Sequence, residues 1–432
     1  MGTDLIYNHR ANHFAPSIAI FNKDLATLVD ALDNGSLPAS DLDLASDSCR
    51  LAWKLCAASA DVYNSESERM QELRPHLDGL LAGFFRETHY ELPGKIGVPD
   101  AVIRLTPYSV LAWLEEWTPE VGLGGNAGIR IAVDYAKMVT QEQYKDICQR
   151  TCCLCVLVVF SGPLLQIYGA VFTEIATVQP IGEPIRLYGA PPHESRIARV
   201  AATFGALRTA LAELETYYTT AMNAGSPDTV LPSRLFPSPT PAEELDSSQL
   251  GILNDLKFTG YLDYDGRKSS DYSRALYTGT LRQQHVVIKF CNRYGHEAHT
   301  VLGESGLAPR MHLCINVRGG LKMIVMDHLE RPWQNLASAF IGQPAIPAET
   351  RDAVRSALMR LHDTGFAFGD VRRVNIFVHT DAKKIMLADF EFSGRDVHYP
   401  LGLNTSSIRW VEGVEPGSKI LKEHDIGMCD KL

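Results

Sequence analysis

The 432 residues, at roughly 150 per domain, imply two or three domains, and 45% hydrophobic against 21% charged residues fills ordinary globular cores. That balance excludes a disordered chain. No apolar run reaches the roughly 18 residues that a membrane helix requires, and the opening stretch MGTDLIYNHRANHF lacks the apolar core of a signal peptide, so neither membrane spanning nor secretion is expected. The net charge of −10 is unevenly held: up to Ser247 there are 18 Lys+Arg against 30 Asp+Glu, which is −12, and from Ser248 on 23 against 21, which is +2. Binding by phosphate neutralisation asks for the opposite bias in the first half, so nucleic acid is disfavoured there as a partner.

Along the chain, residues 22–32 and 42–62 carry apolar side chains at helical spacing, and residues 196–222 form a long Ala/Leu-rich helical segment. Between them, residues 101–105, 110–116, 153–160 and 166–175 have the β-branched and aromatic content of strands bounded by Gly or Pro. Residues 1–222 are therefore expected to form an α/β domain. Cys152, Cys153 and Cys155 fall on or beside a strand without a paired Cys or His at finger spacing, which fits buried packing in a reducing compartment rather than metal. Residues 223–247 crowd Pro, Ser and Thr and read as a linker.

Residues 248–432 run strands first (273–280, 285–291), then a short helix (296–304), strands (311–317, 321–327), a helix (349–363) and two short strands near Ile376 and Met386. Four separated pieces of this half make sense together as phosphoryl-transfer parts. Lys289 lies inside the apolar run HVVIKF, where an ammonium needs a buried partner or a phosphate; alone it would also fit an edge-strand or snorkelling lysine. Glu297 or Glu304 on the following helix could supply that partner. Asp370 and Asn375 sit five apart in a loop with Arg372 between them: a carboxylate to accept the nucleophile's proton, a cation to follow the moving phosphoryl charge, an amide oxygen for Mg²⁺. Asp389, fourteen residues after Asn375, ends an apolar strand where it could hold magnesium between phosphate oxygens.

In that order the pieces resemble the protein-kinase signature set. Within it the chain is most similar to divergent fungal kinase-like domains, through Gly369-Asp370 with Arg372 and Asn375, Asp389-Phe390-Glu391, Tyr399-Pro400, the Trp410 to Gly413 stretch and His424-Asp425. The resemblance implies an α+β bilobal kinase-like domain with a shortened C-lobe that binds ATP and Mg²⁺. It would use Lys289 on the phosphates with Glu297 to orient it, and Asp370 and Arg372 at the transferred group. Asn375 and Asp389 would hold metal, Met326, Asp327 and Leu329 would meet adenine, and Asp425 would brace the catalytic loop. Gly279 alone remains of the glycine-rich phosphate loop, Phe368-Gly369 replaces His-Arg before Asp370, and Glu391 stands where the magnesium triplet usually has Gly. The implied acceptor is a hydroxyl, first a protein Ser/Thr, second a small molecule of the aminoglycoside and choline kinase kind, with a binding-only pseudokinase as the third reading.

The first half has its own resemblance. Asp100 after Pro99, then Glu116-Trp117-Thr118, then a helix with Arg130, is similar to the PD…ExK restriction-endonuclease-like core, in which Asp and Glu hold a metal and Lys activates water. Thr118 stands where the lysine belongs, so a degenerate nuclease site is expected unless a lysine such as Lys137 has migrated in. The order of the two domains is similar to fusions among Crinkler-type effectors and related fungal genes, which implies action inside a cell, in cytoplasm or nucleus. The phosphoacceptor and the oligomeric state are left open.

Overall fold

The structure is a computed structural model and describes residues 6–8, 15–33, 43–88, 99–119, 126–188, 193–224, 230–262, 275–380 and 384–432. The chain divides into two compact units, the first built mainly on Met1–Ala242 and the second mainly on residues 243–432.

The first unit sets helices around a six-stranded sheet. In chain order it contains β1 (Ile6–Tyr7), α1 (Lys23–Asp33), α2 (Asp47–Ser59), α3 (Glu66–Leu80), β2 (Ala101–Leu105), β3 (Val110–Thr118) and α4 (Ala127–Val139). There follow α5 (Lys145–Arg150), β4 (Cys155–Ser161), β5 (Leu164–Phe172), β6 (Ala176–Arg186), α6 (Glu194–Asn223) and the short α7 (Pro232–Leu235). Sheet order is β1-β6-β5-β4-β3-β2, with β3 parallel to β4 and β1 parallel to β6. A parallel pair needs a crossover, and α4, its N-terminus capped by the Asn126 side chain accepting from the Ile129 amide, lies in it. Every residue of β3 is buried, as expected of an inner strand covered on both faces, so its two glutamates must find partners inside the protein.

Several boundaries differ from the sequence expectation for local reasons. The strand expected from residue 153 starts at Cys155, because Cys153 takes a left-handed backbone (φ 48°). The strand expected over 166–175 ends at Phe172, and β6, interrupted by Pro180, Gly182 and Pro184, gave no strand signal although it pairs along most of β5. Helix α3 carries Pro75 and a weak apolar stripe, which hid it. The stretch read as a linker is, in its described part, docked onto the first unit: the Leu231 amide donates to the Gln149 carbonyl, the Ser238 amide to Ile20, and Arg234 is buried against the Phe172 ring and carbonyl. Pro and Ser removed its periodicity without removing its contacts.

The second unit opens with α8 (Ser247–Asp255), started by an Asp246/Gln249 capping box, and β7 (Leu256–Tyr261). Then come β8 (Leu276–Leu281), β9 (Gln284–Cys291), α9 (His296–Glu304), β10 (Met311–Val317) and β11 (Leu321–Asp327). These strands form a five-stranded sheet in the order β10-β11-β9-β8-β7. The remainder is β12 (Trp333–Asn335), α10 (Leu336–Ala339), α11 (Ala348–Asp363), β13 (Ile376–His379), β14 (Ile385–Leu387) and α12 (Lys422–Asp430), with β12, β13 and β14 making a small antiparallel sheet. One buried cluster joins the two parts: Val287, Ile324 and Met326 from the larger sheet, Ala298 and Leu302 from α9, Leu358 and Leu361 from α11, and Phe368 and Phe390 from the loops. Residues from sheet and helices thus share a core.

Candidate active site in the second unit

Strand β9 lies between β11 and β8, so Lys289, opposite Ile324 and Leu276, sits on an interior strand. The edge-strand reading of this lysine is thereby corrected. Its ammonium, 5% exposed as a residue, meets the Asp389 carboxylate at 2.7 Å and the Glu391 carboxylate at 2.5 Å. Burial opposes the charge, but the two carboxylates outweigh it and hold the Lys289 pKa above the ordinary lysine value. Burial also acts against ionised Asp389; there Lys289, the backbone amide of Glu391 and Arg372 prevail and keep the carboxyl below its usual range.

The expected partner of Lys289 is elsewhere. Glu297 is in the first turn of α9 and Glu304 at its end, both exposed, and the carboxylates on the lysine come from the 389–391 segment instead. The reason lies in how that segment is pinned. Phe390 is fully buried, stacks on His299 of α9 (4.5 Å between centroids, 6° between planes) and meets Phe368 edge-on at 5.3 Å. The Gly295 amide donates to the Phe390 carbonyl at 2.9 Å, and a Cβ at Gly295 would stand 2.3 Å from the Ser393 carbonyl oxygen, so only glycine lets α9 start this close. With Phe390 in the core, its neighbours on either side face the lysine. Asp389 has φ 68°, a left-handed conformation that aspartate tolerates better than most residues.

Asp370 is buried behind this point. Its carboxylate accepts from the Nε and Nη2 edge of the Arg372 guanidinium, and from the Asn375 side-chain amide at 2.8 Å. Burial raises the Asp370 pKa, against the lowering pull of Arg372. The loop carrying it is fixed from below: Asp425, 1% exposed, accepts from the Phe368 and Gly369 amides at 2.7 Å each and from His362 at 2.9 Å. Gly369 has φ 81°, and a Cβ there would press on Phe392 and Ile420. The brace expected of Asp425 is thus seen as two backbone hydrogen bonds.

A cleft of about 600 Å³ opens beside Lys289, lined among others by Val287, Met326, Asp327, Leu329, Asn375 and Asp389. The expected adenine-contacting segment, Met326, Asp327 and Leu329, therefore shares one cavity with Lys289, Asn375 and Asp389. Asp370 and Arg372 do not line it; they connect to it through Asn375. Arg372, expected to point at a transferred group, instead clamps Asp370 and lies 5.9 Å from the Trp410 ring centre. Gly279 is a further correction: it pairs mid-strand with Val286 and Phe258, and a Cβ would stand 2.6 Å from the Lys257 carbonyl, so close strand packing is what calls for glycine there. The rest of the expected phosphate loop, through Arg274, falls outside the described residues.

Magnesium ordinarily takes one or two protein carboxylates and fills its octahedron with phosphate oxygens and water. Asp389 and Asn375, which both line the cleft, offer a carboxylate and an amide oxygen of that kind, and the Asn375 amide nitrogen is committed to Asp370.

In the first unit the predicted residues split. Asp100, at the mouth of β2, accepts from the Trp117 amide at 2.7 Å, and Glu116 pairs with Arg130 at 2.8 Å. Burial, then the charge of Asp100, raise the Glu116 pKa to about 8, and burial raises Asp100 to about 6. Arg130 does not reverse this, because its side chain is 42% exposed and its charge is screened by water. Thr118 directs its hydroxyl to the Phe160 carbonyl, and Lys137 pairs with Asp134 at 3.6 Å on its own helix. The residue that sequence reading passed over is Glu115. It faces the other side of β3, where Arg86 grips it twice and the Trp113 and Trp117 indoles donate to it. The Glu-Glu doublet in an otherwise apolar strand was the available signal.

No family model and no curated protein matches this sequence. Solved structures do match. The kinase PK-1 of Cydia pomonella granulovirus is similar over 42% of this chain and 67% of its own, at 14% identity and a TM-score of 0.32. Vaccinia related kinase 3 is similar over 41% of this chain at 16% identity and a TM-score of 0.31, and the match spans 62% of its length, less than two thirds.

Proposed function

We propose that the second unit is a phosphotransferase that moves the γ-phosphoryl group of ATP, with Mg²⁺, to a hydroxyl acceptor. The observation that carries this reading is the convergence on one cleft of a buried, doubly paired lysine, an aspartate and an asparagine from three separate stretches of chain. In this reading Lys289 holds the nucleotide phosphates, and Asp389 and Asn375 hold the metal. Bound Mg²⁺ would neutralise phosphate charge and fix the angle of the triphosphate. Asp370, kept in place by Asn375 and the Asp425-braced loop, orients or deprotonates the acceptor hydroxyl once Arg372 swings from it toward the phosphoryl group. Protein Ser/Thr is the first acceptor class and a small-molecule hydroxyl the second.

Labelled ATP with Mg²⁺ and a panel of protein and small-molecule acceptors tests it. Wild type transfers label and Lys289→Ala and Asp370→Asn do not; equal signals in all three remove the assignment. Nucleotide-induced thermal stabilisation without turnover on any acceptor converts the reading to a pseudokinase.

For the first unit we infer a structural or partner-binding role in which cleavage chemistry is lost. Supporting it, the Thr118 hydroxyl lies on the sheet, Glu116 meets Arg130, and Lys137 meets Asp134.

A further inference from the structure

We propose that Glu391 is the positioning residue that aims Lys289, in the role that a glutamate of α9 was expected to fill; this rests on the phosphotransferase reading above. Two carboxylates reach the ammonium, Asp389 at 2.7 Å and Glu391 at 2.5 Å. They are not equivalent in a working site. A metal held by Asp389 would draw on that carboxylate's charge, and the lysine would then need Glu391 as its second anion. Glu297 cannot serve from the exposed first turn of α9, whereas Glu391 is already in contact.

The position of Glu391 is built into the core. Phe390 is fixed by the His299 stack and by the Gly295 amide on its carbonyl, which sets the backbone of residue 391 beside the lysine. His299 is itself held at both ring nitrogens, by Tyr294 at 2.8 Å and the Pro309 carbonyl at 2.7 Å. Helix α9 therefore contributes through the aromatic seat beneath the segment, and the carboxylate comes from the segment itself. This also explains why a side chain larger than glycine is accommodated at 391: it turns to Lys289 and stays partly exposed, while the core is closed by its neighbour.

The test compares the full-length protein with Glu391→Gln, Glu391→Asp, Glu297→Gln and Glu304→Gln by steady-state kinetics. Glu391→Gln raises the KM for ATP about tenfold or more and lowers kcat, while the KM of the acceptor stays within twofold. Glu391→Asp, which keeps the charge, recovers most of the ATP affinity. The two helix variants stay within twofold of wild type throughout. Matching thermal melts of Glu391→Gln and wild type exclude a folding loss as the cause. The proposal is overturned if Glu391→Gln behaves as wild type, if it is faster than wild type, or if Glu297→Gln carries the loss instead. An active wild type with any of those results sinks this assignment alone; a wild type that neither binds nor uses ATP sinks the phosphotransferase reading, and this one with it.

Discussion

Glu115 and Glu116 are adjacent carboxyl groups taken out of water, and their surroundings predict different responses to mutation. Glu115 and Arg86 are 1% and 2% exposed in their side chains and are in direct double contact. Without the Glu115 charge the buried Arg86 is left with the half-exposed Asp78 carboxylate at 2.7 Å, so Glu115→Gln lowers the stability of the first unit by up to about 3–5 kcal/mol, read by chemical denaturation. Its neighbour Glu116 behaves in the opposite way. With a pKa raised to about 8, it is bound to a proton in the folded unit at pH values where the unfolded chain has lost it, so ionising it in place costs free energy. Glu116→Gln removes that burden and makes the unit more stable than wild type at pH 8.5, with little difference at pH 4; equal melts at both pH values would contradict the assignment. Of this pair the sequence showed only two adjacent glutamates. Which one faces Arg86 and which faces Arg130 depends on strand register, and register is set by pairing with β2 and β4.

Helix α9 and strands β10 and β11 were legible to the residue, because their apolar periodicity is strong and their ends carry turn residues. What α9 does was not legible. Its polar sequence suggested a glutamate directed at Lys289, yet the face that turns inward presents Ala298, His299 and Leu302. His299 gives this element a pH signature. Burial lowers its pKa to about 4, so the neutral ring is the folded form, donating to Pro309 and accepting from Tyr294. Stability from His299 is therefore complete above about pH 6.5 and is lost as pH falls toward 4, by at most about 3 kcal/mol. Denaturant titrations of wild type and His299→Gln should converge as pH is lowered through that window; parallel curves would show that the ring does not carry the effect. Glycine 279 makes an element-scale prediction too. Gly279→Ala sets a methyl 2.6 Å from the Lys257 carbonyl and destabilises the sheet by roughly 1–3 kcal/mol in thermal melts, without a specific change in ATP affinity.

At the scale of the whole chain, Glu116 and Asp100 in the first unit and His299 in the second respond to acid with opposite sign. The first holds carboxyls with raised pKa values, about 8 for Glu116 and about 6 for Asp100, whose stabilisation is present at low pH and lost as pH rises through those values. The second holds His299, whose stabilisation is lost on acidification. Calorimetry at pH 8 and pH 5 should move the two unfolding transitions in opposite directions; a common shift would contradict this division. The −12 charge of the chain up to Ser247 and the engaged Glu116 and Lys137 predict that plasmid DNA stays intact with Mg²⁺ or Mn²⁺. Nicking abolished by Asp100→Ala would restore the nuclease reading.

The amino-acid sequence alone determined the alternation of elements, the polar residues that had to be accounted for inside apolar runs, and the order Lys289, Asp370, Asn375, Asp389 along the chain. These are local properties of spacing and composition. Tertiary structure decided which carboxylates reach Lys289, that Arg372 rests on Asp370, and that residues 230–242 lie against the first unit instead of spanning a gap. Each of those outcomes depends on contacts between residues far apart in the chain, where packing of Phe390 or Arg234 fixes a neighbour's direction and no periodicity records it.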